Sequence, residues 1–210
     1  MENSTSWDEA ALIGAAARGN LDAFNELVLH YQTQAYNLAY AMLSDPAAAE
    51  DATQEAFISA YRSLKTFRGT SLRPWLMQIV ANACRDELRR QKRRPAVSWD
   101  EFGDLDEEAN PHLSDESATP EETMQQEELR RFINACLLEL PQDQRLVVVL
   151  VDRLGYPYEE AAQILHVPVG TVKSRLARAR IRLQRLLQTK AELLPRRYRQ
   201  NNTNDREAVA

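Results

Sequence analysis

The chain has 210 residues, a formal net charge of −5, and charged side chains at 27% of its positions. This length allows one or two compact domains. No apolar run is long enough to cross a bilayer, and the first ten residues, MENSTSWDEA, are polar and acidic, unlike a secretion signal. These features exclude an inserted membrane protein, and we expect a cytoplasmic one.

The cysteines and histidines give no sign of a metal or catalytic site. Cys84 and Cys136 each lie within an apolar pattern of helical spacing and have no Cys or His neighbours at ligand spacing. We therefore expect two small core side chains and no disulfide. The three histidines have no nucleophile beside them, and the sequence contains no glycine-rich phosphate loop. The prediction is a protein without a cofactor that is not an enzyme.

Apolar residues at helical spacing predict four helices in the first 94 residues, over 8–18, 22–42, 46–65 and 74–94. Asp22 is the expected cap of the second helix, and Pro46 and Pro74 open the third and fourth. One face of the fourth helix carries amide and arginine side chains three or four residues apart: Gln78, Asn82, Arg85 and Arg89. Amides can pair with base edges while arginines hold phosphates. A solvated face explains the pattern equally well.

The composition changes sharply after residue 94. Residues 95–128 contain about twelve acidic side chains and no lysine or arginine, between an N-terminal part of about zero net charge and a C-terminal part of about +7. Such a segment is too charged to bury a core. The thirty-odd residues of this acidic segment, 95–128, would span roughly 30 Å when relaxed and ~110 Å when stretched. Within it, we assign residues 95–119 as a flexible acidic linker.

The C-terminal part is predicted to be helical up to residue 188. Two helices are expected on either side of Pro141, the second from Gln142 to Leu154, and residues 158–187 read as a pair of helices joined by a turn at 166–170. The buried side of this pair is defined by Ala161, Ala162, Leu165, Val172, Leu176, Ala179, Leu183 and Leu187. Residues 189–210 lack an apolar period and are expected to be a disordered tail.

The last predicted helix carries a positive stripe without any acidic residue: Lys173, Arg175, Arg178, Arg180, Arg182 and Arg185. Such a stripe suits a polyanion, and two helices joined by a short turn are the layout of a helix-turn-helix, whose second helix enters the major groove. The alternative is a helical hairpin whose arginines only solvate an exposed face.

Three segments, taken together and in order, resemble the bacterial extracytoplasmic-function sigma factors. They are DATQEAFISAYRSLKTFRG at 51–69, RPWLMQIVANACRDELRRQKRR at 73–94 and, after the acidic linker, LPQDQRLVVVLVDRLGYPYEEAAQILHVPVGTVKSRLARAR at 140–180. The resemblance implies an all-α fold of two small helical domains joined by a flexible acidic linker. The expected N-terminal domain is 1–94, and the C-terminal domain with the helix-turn-helix is 120–188.

The resemblance also implies partners and site residues. The partners are core RNA polymerase, through the clamp helices of its largest subunit and its flap, together with promoter DNA and an anti-sigma factor. The polymerase-binding residues would be Asp51, Gln54, Glu55 and Phe57. The residues for reading and melting the −10 element would be Phe67, Arg68, Trp75, Asn82, Arg85 and Arg89. Those for the −35 element would be Thr171, Lys173, Ser174, Arg178 and Arg182.

Two positions depart from the family pattern. His166 occupies a turn position that usually holds glycine and that can require a positive φ. Ala177 replaces a bulkier side chain of some relatives, so the preferred promoter bases cannot be inherited. Besides a sigma factor, the sequence allows a stand-alone helix-turn-helix regulator, which leaves the pattern at 51–94 unexplained, and an interaction adaptor, which requires the arginine stripe to be incidental.

Overall fold

The computed structural model describes residues 7–69, 71–93 and 120–190. Within these ranges the chain forms eight α-helices and no strand, so the all-α prediction is confirmed. We call helices α1–α4 the N-terminal domain and helices α5–α8 the C-terminal domain. The predicted linker, 95–119, and almost all of the predicted tail, 189–210, lie outside the described residues.

The N-terminal domain consists of α1 (Glu9–Ala17), α2 (Leu21–Leu43), α3 (Pro46–Ser63), a 3₁₀ turn (Leu64–Thr66) and α4 (Leu72–Arg93). Each of the first three helices begins at a side-chain cap, and α3 has Pro46 in its first turn. The predicted cap of α2 was wrong. Asn20, not Asp22, accepts the Ala23 N–H at 3.1 Å, and Asp22 lies in the first turn, where its charge favours the helix dipole.

The core of this domain follows the predicted apolar spacing. Leu27, Leu38 and Met42 of α2 are fully buried, and α3 contributes mainly small side chains such as Ala52 and Ala56. Small residues let a helix approach its neighbours closely, and α3 packs on both α2 and α4.

The C-terminal domain consists of α5 (Pro120–Leu138), α6 (Gln142–Val148), a π-helical turn (Val149–Arg153), α7 (Tyr158–Leu165) and α8 (Val169–Thr189). The predicted single helix from Gln142 to Leu154 therefore changes pitch halfway. The Leu154 N–H donates to the carbonyl of Val149 at 2.9 Å, five residues back. Such a turn inserts an extra residue and rotates the following side chains about the helix axis.

The turn between α7 and α8 is shorter than predicted. His166 ends α7 with φ 50° and ψ 47°, so the expected left-handed backbone at this position is confirmed. The Val167 N–H closes the turn on the carbonyl of Ala162 at 3.1 Å, and Pro168 precedes α8. Gly170 was assigned to the connector, but it lies within the first turn of α8.

The two domains contact each other, and their buried side chains form one continuous cluster. Helix α4 packs on α7, and α2 approaches both α5 and the π-helical turn. Arg145 of α6 is almost fully buried at this junction. Its Nη1 donates to the carbonyl of Met42 at 2.8 Å and its Nε to that of Leu137 at 2.9 Å, so one side chain binds the carboxyl ends of α2 and α5.

Both cysteines are free and buried, as expected of core side chains. Burial raises the pKa of the Cys84 thiol to about 12, so this thiol stays protonated and unreactive. Ile133 belongs to the apolar positions of helical spacing in α5, which predict a buried face, but it is 36% exposed. None of the described helices is long and apolar enough to cross a membrane.

Candidate nucleic-acid and partner interfaces

The side of α8 opposite its core carries a row of polar and basic side chains three or four residues apart. Val172, Leu176 and Ala179 face inward and are buried. The outward row, which we call the α8 basic face, consists of Thr171, Ser174, Arg178, Arg182 and Arg185. Ser174 and Arg178 are tied together, because Arg178 donates to the Ser174 carbonyl at 3.2 Å and to its hydroxyl at 3.3 Å. The helix thus presents three arginines and two hydroxyls toward solvent.

The predicted positive stripe of α8 does not lie on a single face of the helix. Lys173 lies on one flank, with its Nζ 5.7 Å from the centre of the Tyr158 ring. Arg180 forms two hydrogen bonds of 3.0 and 2.6 Å with the carboxylate of Asp152. The structure thus separates Lys173 from the other predicted −35 residues by about a quarter turn of the helix or more.

A groove of about 590 Å³ adjoins the α8 basic face, between the second half of α8 and the end of α5. Arg178, Arg182 and Arg185 line it together with Ile181, an apolar side chain that is 52% exposed. Arg185 was part of the predicted stripe but was not assigned to the site. The sequence could have indicated Arg185, because it lies three residues after Arg182 and therefore on the same side of the helix.

The outward face of α4 carries the predicted amide and arginines. Asn82 is exposed, and its Oδ1 accepts a hydrogen bond from Arg85 at 3.0 Å. Arg85 also lies 3.9 Å from the carboxylate of Asp143 on α6, while Arg89 pairs with Asp86 of its own helix at 2.8 Å. This face therefore contains the predicted groups, but in this conformation Arg85 and Asn82 already have protein partners.

The loop before α4 is organised around two aromatic rings. Phe67 and Trp75 are half-buried, and their ring centres lie 5.0 Å apart at a tilted angle of 49°. Arg68 is exposed and donates to the carbonyls of Lys65 and Phe67 at 3.0 Å. A Cβ at Gly69 would lie 2.7 Å from the Phe67 ring, so a larger residue there would force this ring to shift. The two rings present a partly exposed aromatic surface with a cation beside it.

Helix α3 has an outward stripe at spacings of three and four residues, which we call the α3 face: Asp51, Gln54, Glu55 and Ile58. All four side chains are exposed, and Ile58 is 51% exposed although it is apolar. Ile58 was missed by the sequence analysis, although it continues the spacing of Asp51 and Glu55. Phe57 was predicted to bind polymerase together with these residues, but it is only 9% exposed and packs into the core beneath the α3 face.

These faces are typical of binding surfaces. The described residues contain no group of three or more His, Cys, Asp or Glu side chains that would hold a metal ion. Instead the chain presents a helix-turn-helix with a basic second helix, a second helix with amide and arginine side chains, and an acidic face with an apolar residue. The fold and these surfaces define a helical protein with a helix-turn-helix of the DNA-binding type.

The comparisons with known proteins give the family. Sigma-70 region 2 matches residues 27–94, and sigma-70 region 4 matches residues 132–183. The RNA polymerase sigma-H factor of Pseudomonas aeruginosa is 35% identical over 88% of this chain and 96% of its own length. The ECF RNA polymerase sigma-E factor of Escherichia coli K12 is 37% identical over 82% of this chain and 90% of its own length. The chain belongs to the extracytoplasmic-function (ECF) sigma factors.

Two solved structures share the fold. CnrH, solved in complex with the cytosolic domain of CnrY, is 27% identical with a TM-score of 0.62, covering 87% of this chain and 99% of that chain. The sigma factor RpoE of Bartonella quintana, solved with the anti-sigma factor NepR, is 28% identical with a TM-score of 0.55, covering 79% and 96%. The prediction of two helical domains is confirmed by these similarities.

Proposed function

We propose that this protein binds core RNA polymerase, directs it to a set of promoters by reading their −10 and −35 elements, and assists strand separation. The observation that carries the proposal is the presence, in one ECF-type chain, of the α8 basic face, the α4 face and the α3 face. Binding energy drives each of these steps, so we propose that the protein is not an enzyme. Its place would be the cytoplasm, where the polymerase and the promoters are.

The α8 basic face is the proposed −35 reader. Thr171, Ser174, Arg178 and Arg182 lie on the same side of α8, and the first two begin the helix, where a helix-turn-helix contacts base edges. Arginine forms paired hydrogen bonds with guanine, and hydroxyls contact either phosphates or bases. Lys173 lies on the flank beside Tyr158, so a phosphate is its expected contact.

The proposed −10 site combines α4 with the aromatic loop. Asn82 and Arg89 are exposed for contacts with bases and phosphates, and Arg85 joins them once its protein partners are released. Phe67 and Trp75 offer ring surfaces on which an unstacked base can lie, at ~1–3 kcal/mol per base, and Arg68 is placed for the backbone. Opening the duplex exposes such bases, so this surface favours the melted strand.

The α3 face is the proposed contact with the polymerase clamp. Asp51, Gln54 and Glu55 offer acidic and amide groups to a basic partner, and Ile58 adds apolar area at the same place. Phe57 would contribute indirectly, because its buried ring fixes the position of α3 on the core. On the basis of the family alone, we propose that the C-terminal domain contacts the polymerase flap.

An anti-sigma factor is the proposed negative regulator. RpoE of Bartonella quintana, which this chain resembles over both domains, was solved with the anti-sigma factor NepR. An inhibitor of this kind would cover the surfaces that bind polymerase or DNA until a signal releases it.

A reconstituted transcription assay tests the function. The protein is added to sigma-free core polymerase with genomic DNA fragments, and the transcripts are mapped. We expect initiation at a small subset of start sites that share sequences near −10 and −35. Binding to DNA without any binding to polymerase would instead identify a stand-alone helix-turn-helix regulator. If the protein bound neither DNA nor polymerase, the interaction adaptor would be the remaining hypothesis.

A further inference from the structure

One flank of α8, beside the α8 basic face, carries two cations in line. Lys173 and Arg180 share this flank because seven residues are close to two helical turns, and they lie about 10.5 Å apart along the helix axis. Phosphates repeat about every 3.4 Å along each strand of DNA, so a basic flank of this length can meet more than one of them. Lys173 is the proposed phosphate contact, and Arg180 is the next cation along the same flank.

Arg180 is held by an acid of its own domain. Its Nε donates to Oδ2 of Asp152 at 3.0 Å, and its Nη2 donates to Oδ1 of the same carboxylate at 2.6 Å. Arginine offers the same kind of paired hydrogen bonds to a phosphate. The hydrogen bond from Asp152 raises the pKa of Arg180, and Tyr158 at the start of α7 contributes to that rise. The paired donors of Arg180 are therefore occupied by a carboxylate.

Asp152 reaches α8 from the π-helical turn, Val149–Arg153. Such a turn rotates the side chains that follow it, and π-helical turns are frequent at functional sites. Asp152 binds α8, while the next residue, Arg153, donates to the side-chain oxygen of Asn134 on α5 at 2.7 Å. Two consecutive side chains of the turn thus bind helices on opposite sides of it. The turn thereby places a negative charge on the flank of the helix that carries the proposed −35 readers.

The pair of Asp152 and Arg180 affects the charge of this flank more than the stability of the fold. The two side chains are 32% and 55% exposed, and exposed ion pairs contribute little to folding. Helix α8 is anchored instead by its buried residues Val172, Leu176 and Ala179. An exposed arginine without this acid would be accessible to phosphates, which bind basic side chains irrespective of base sequence.

We propose that Asp152 limits the sequence-independent affinity of the protein for DNA by withholding Arg180 from the phosphate backbone. The inference rests on the proposed function, because it concerns the helix-turn-helix that would read the −35 element. The carboxylate of Asp152 occupies the donors of Arg180 and also repels an approaching phosphate. A phosphate contact adds the same free energy on every sequence. Asp152 therefore weakens binding to all DNA to the same degree and leaves the base preference to Ser174 and Arg178.

The test uses the full chain and a fluorescein-labelled duplex of mixed sequence, with the affinity measured over a range of salt concentrations. Asp152→Asn frees Arg180 and removes one negative charge. Glu159→Gln is the matched control, because Glu159 of α7 is exposed and none of the ion pairs among the described residues includes it. The double variant Asp152→Asn with Arg180→Gln keeps the net charge of the unmodified chain, and Asp152→Glu keeps the carboxylate.

We expect Asp152→Asn to bind the mixed duplex about three- to tenfold more tightly at low salt than Glu159→Gln does. Its plot of log affinity against log salt concentration should be steeper by about 0.9, the value for one added phosphate contact. The double variant and Asp152→Glu should match the unmodified chain. Equal slopes for Asp152→Asn and Glu159→Gln would overturn the proposal, and so would a double variant with a shallower slope than the unmodified chain. Weaker binding by Asp152→Asn would also overturn it, because the pair would then be needed to position α8.

Two further measurements distinguish a failure of this proposal from a failure of the proposed function. Elution from a heparin column compares affinity for a polyanion without DNA. Asp152→Asn should elute at higher salt than Glu159→Gln, and equal elution would contradict the release of Arg180. On duplexes changed at one −35 base pair at a time, Asp152→Asn should keep the base preference of the unmodified chain, and an altered preference would count against the proposal. If the unmodified chain has no base preference, the proposed function fails, while the salt slopes and the elution still decide the role of Asp152.

Discussion

Arg145 shows how a single side chain organises the junction of the domains. Burial lowers the pKa of its guanidinium, and among the described residues its hydrogen-bond partners are backbone carbonyls and not carboxylates. Helix carboxyl ends carry partial negative charge, and α2 and α5 both end at this side chain. The buried cation of Arg145 is therefore stabilised by two helix ends from different domains.

Replacing Arg145 with Ala should destabilise the protein by about 2–4 kcal/mol, because buried carbonyls at the ends of α2 and α5 lose their donors. Urea unfolding of the full chain, followed by circular dichroism, measures the change. Arg131→Ala on the exposed side of α5 is the control and should shift the free energy of unfolding by no more than about 0.5 kcal/mol. Similar small shifts for both variants would contradict the role given to Arg145.

His166 holds a backbone conformation that side chains with a Cβ disfavour. Its φ of 50° closes the turn of the helix-turn-helix, and the side chain is exposed. We expect His166→Gly to stabilise the protein by about 0.5–1 kcal/mol, since relief of left-handed strain exceeds the added freedom of the unfolded chain. His166→Ala keeps the Cβ and should give no gain. Thermal unfolding of both variants measures the change in stability. Equal stabilities of the Gly and Ala variants would contradict the role given to left-handed strain.

At the scale of helices, apolar spacing predicted most of what is observed. It identified the inward sides of α2 and α8 because a helix repeats every 3.6 residues and the core accepts one side only. It did not predict the change of pitch at Val149–Arg153, since π-helical turns have no apolar period of their own. The hydrogen-bond partners of Arg145 could not be predicted from the sequence either, because Met42 lies 103 residues away.

The same limit applies to the candidate site. The sequence analysis grouped Arg175 and Arg180 with the other basic residues of α8. In the structure, Arg175 pairs with Asp143 of α6 and Arg180 pairs with Asp152 of the π-helical turn. The burial of Phe57 and the exposure of Ile58 depend on how α3 is rotated against α2 and α4. Spacing alone gives a helix face, but which edge of that face stays accessible is decided by the neighbouring helices.

The position of Arg178 on the α8 basic face leads to a prediction about specificity. Arg178→Ala should cost ~1–3 kcal/mol of binding and relax the preference at one base pair of the −35 element, as expected of a base contact. Lys173→Ala, on the flank, should weaken binding to all sequences to a similar degree. Competition binding with −35 duplexes changed one base pair at a time separates the two. A uniform loss for Arg178→Ala would make it a phosphate contact.

The α3 face gives a prediction about the polymerase. Ile58→Asp should reduce affinity for core polymerase about tenfold or more, because it places a charge in the apolar centre of the proposed contact. Leu29→Asp is a matched control, since Leu29 of α2 is also apolar and is 66% exposed, compared with 51% for Ile58. Fluorescence titration of labelled protein with core polymerase measures both. Equal losses would indicate that the contact is not centred on α3.

At the scale of the whole molecule, the contacts between the domains and the chain that joins them have opposite roles. The buried cluster, Arg145 and the ion pairs of Asp143 with Arg85 and Arg175 hold the domains together. The chain from Arg93 to Pro120 sets how far apart they can move once those contacts break. At ~3.4 Å per residue this segment can extend to roughly 90 Å, more than two turns of DNA.

Shortening this segment should therefore abolish promoter recognition at a definable length. Deletion of residues 99–116 leaves a connection of roughly 30 Å at full extension, shorter than the ~34 Å of one DNA turn, so initiation at promoters with both elements should be lost. Binding of core polymerase through the α3 face should persist. Deletion of residues 103–108, or replacement of 99–116 by an equally long Gly/Ser segment, should preserve initiation in the reconstituted assay. If the Gly/Ser replacement also abolished initiation, the length of the segment alone would not explain its role. The negative charge of residues 99–116 would then have to contribute directly to initiation.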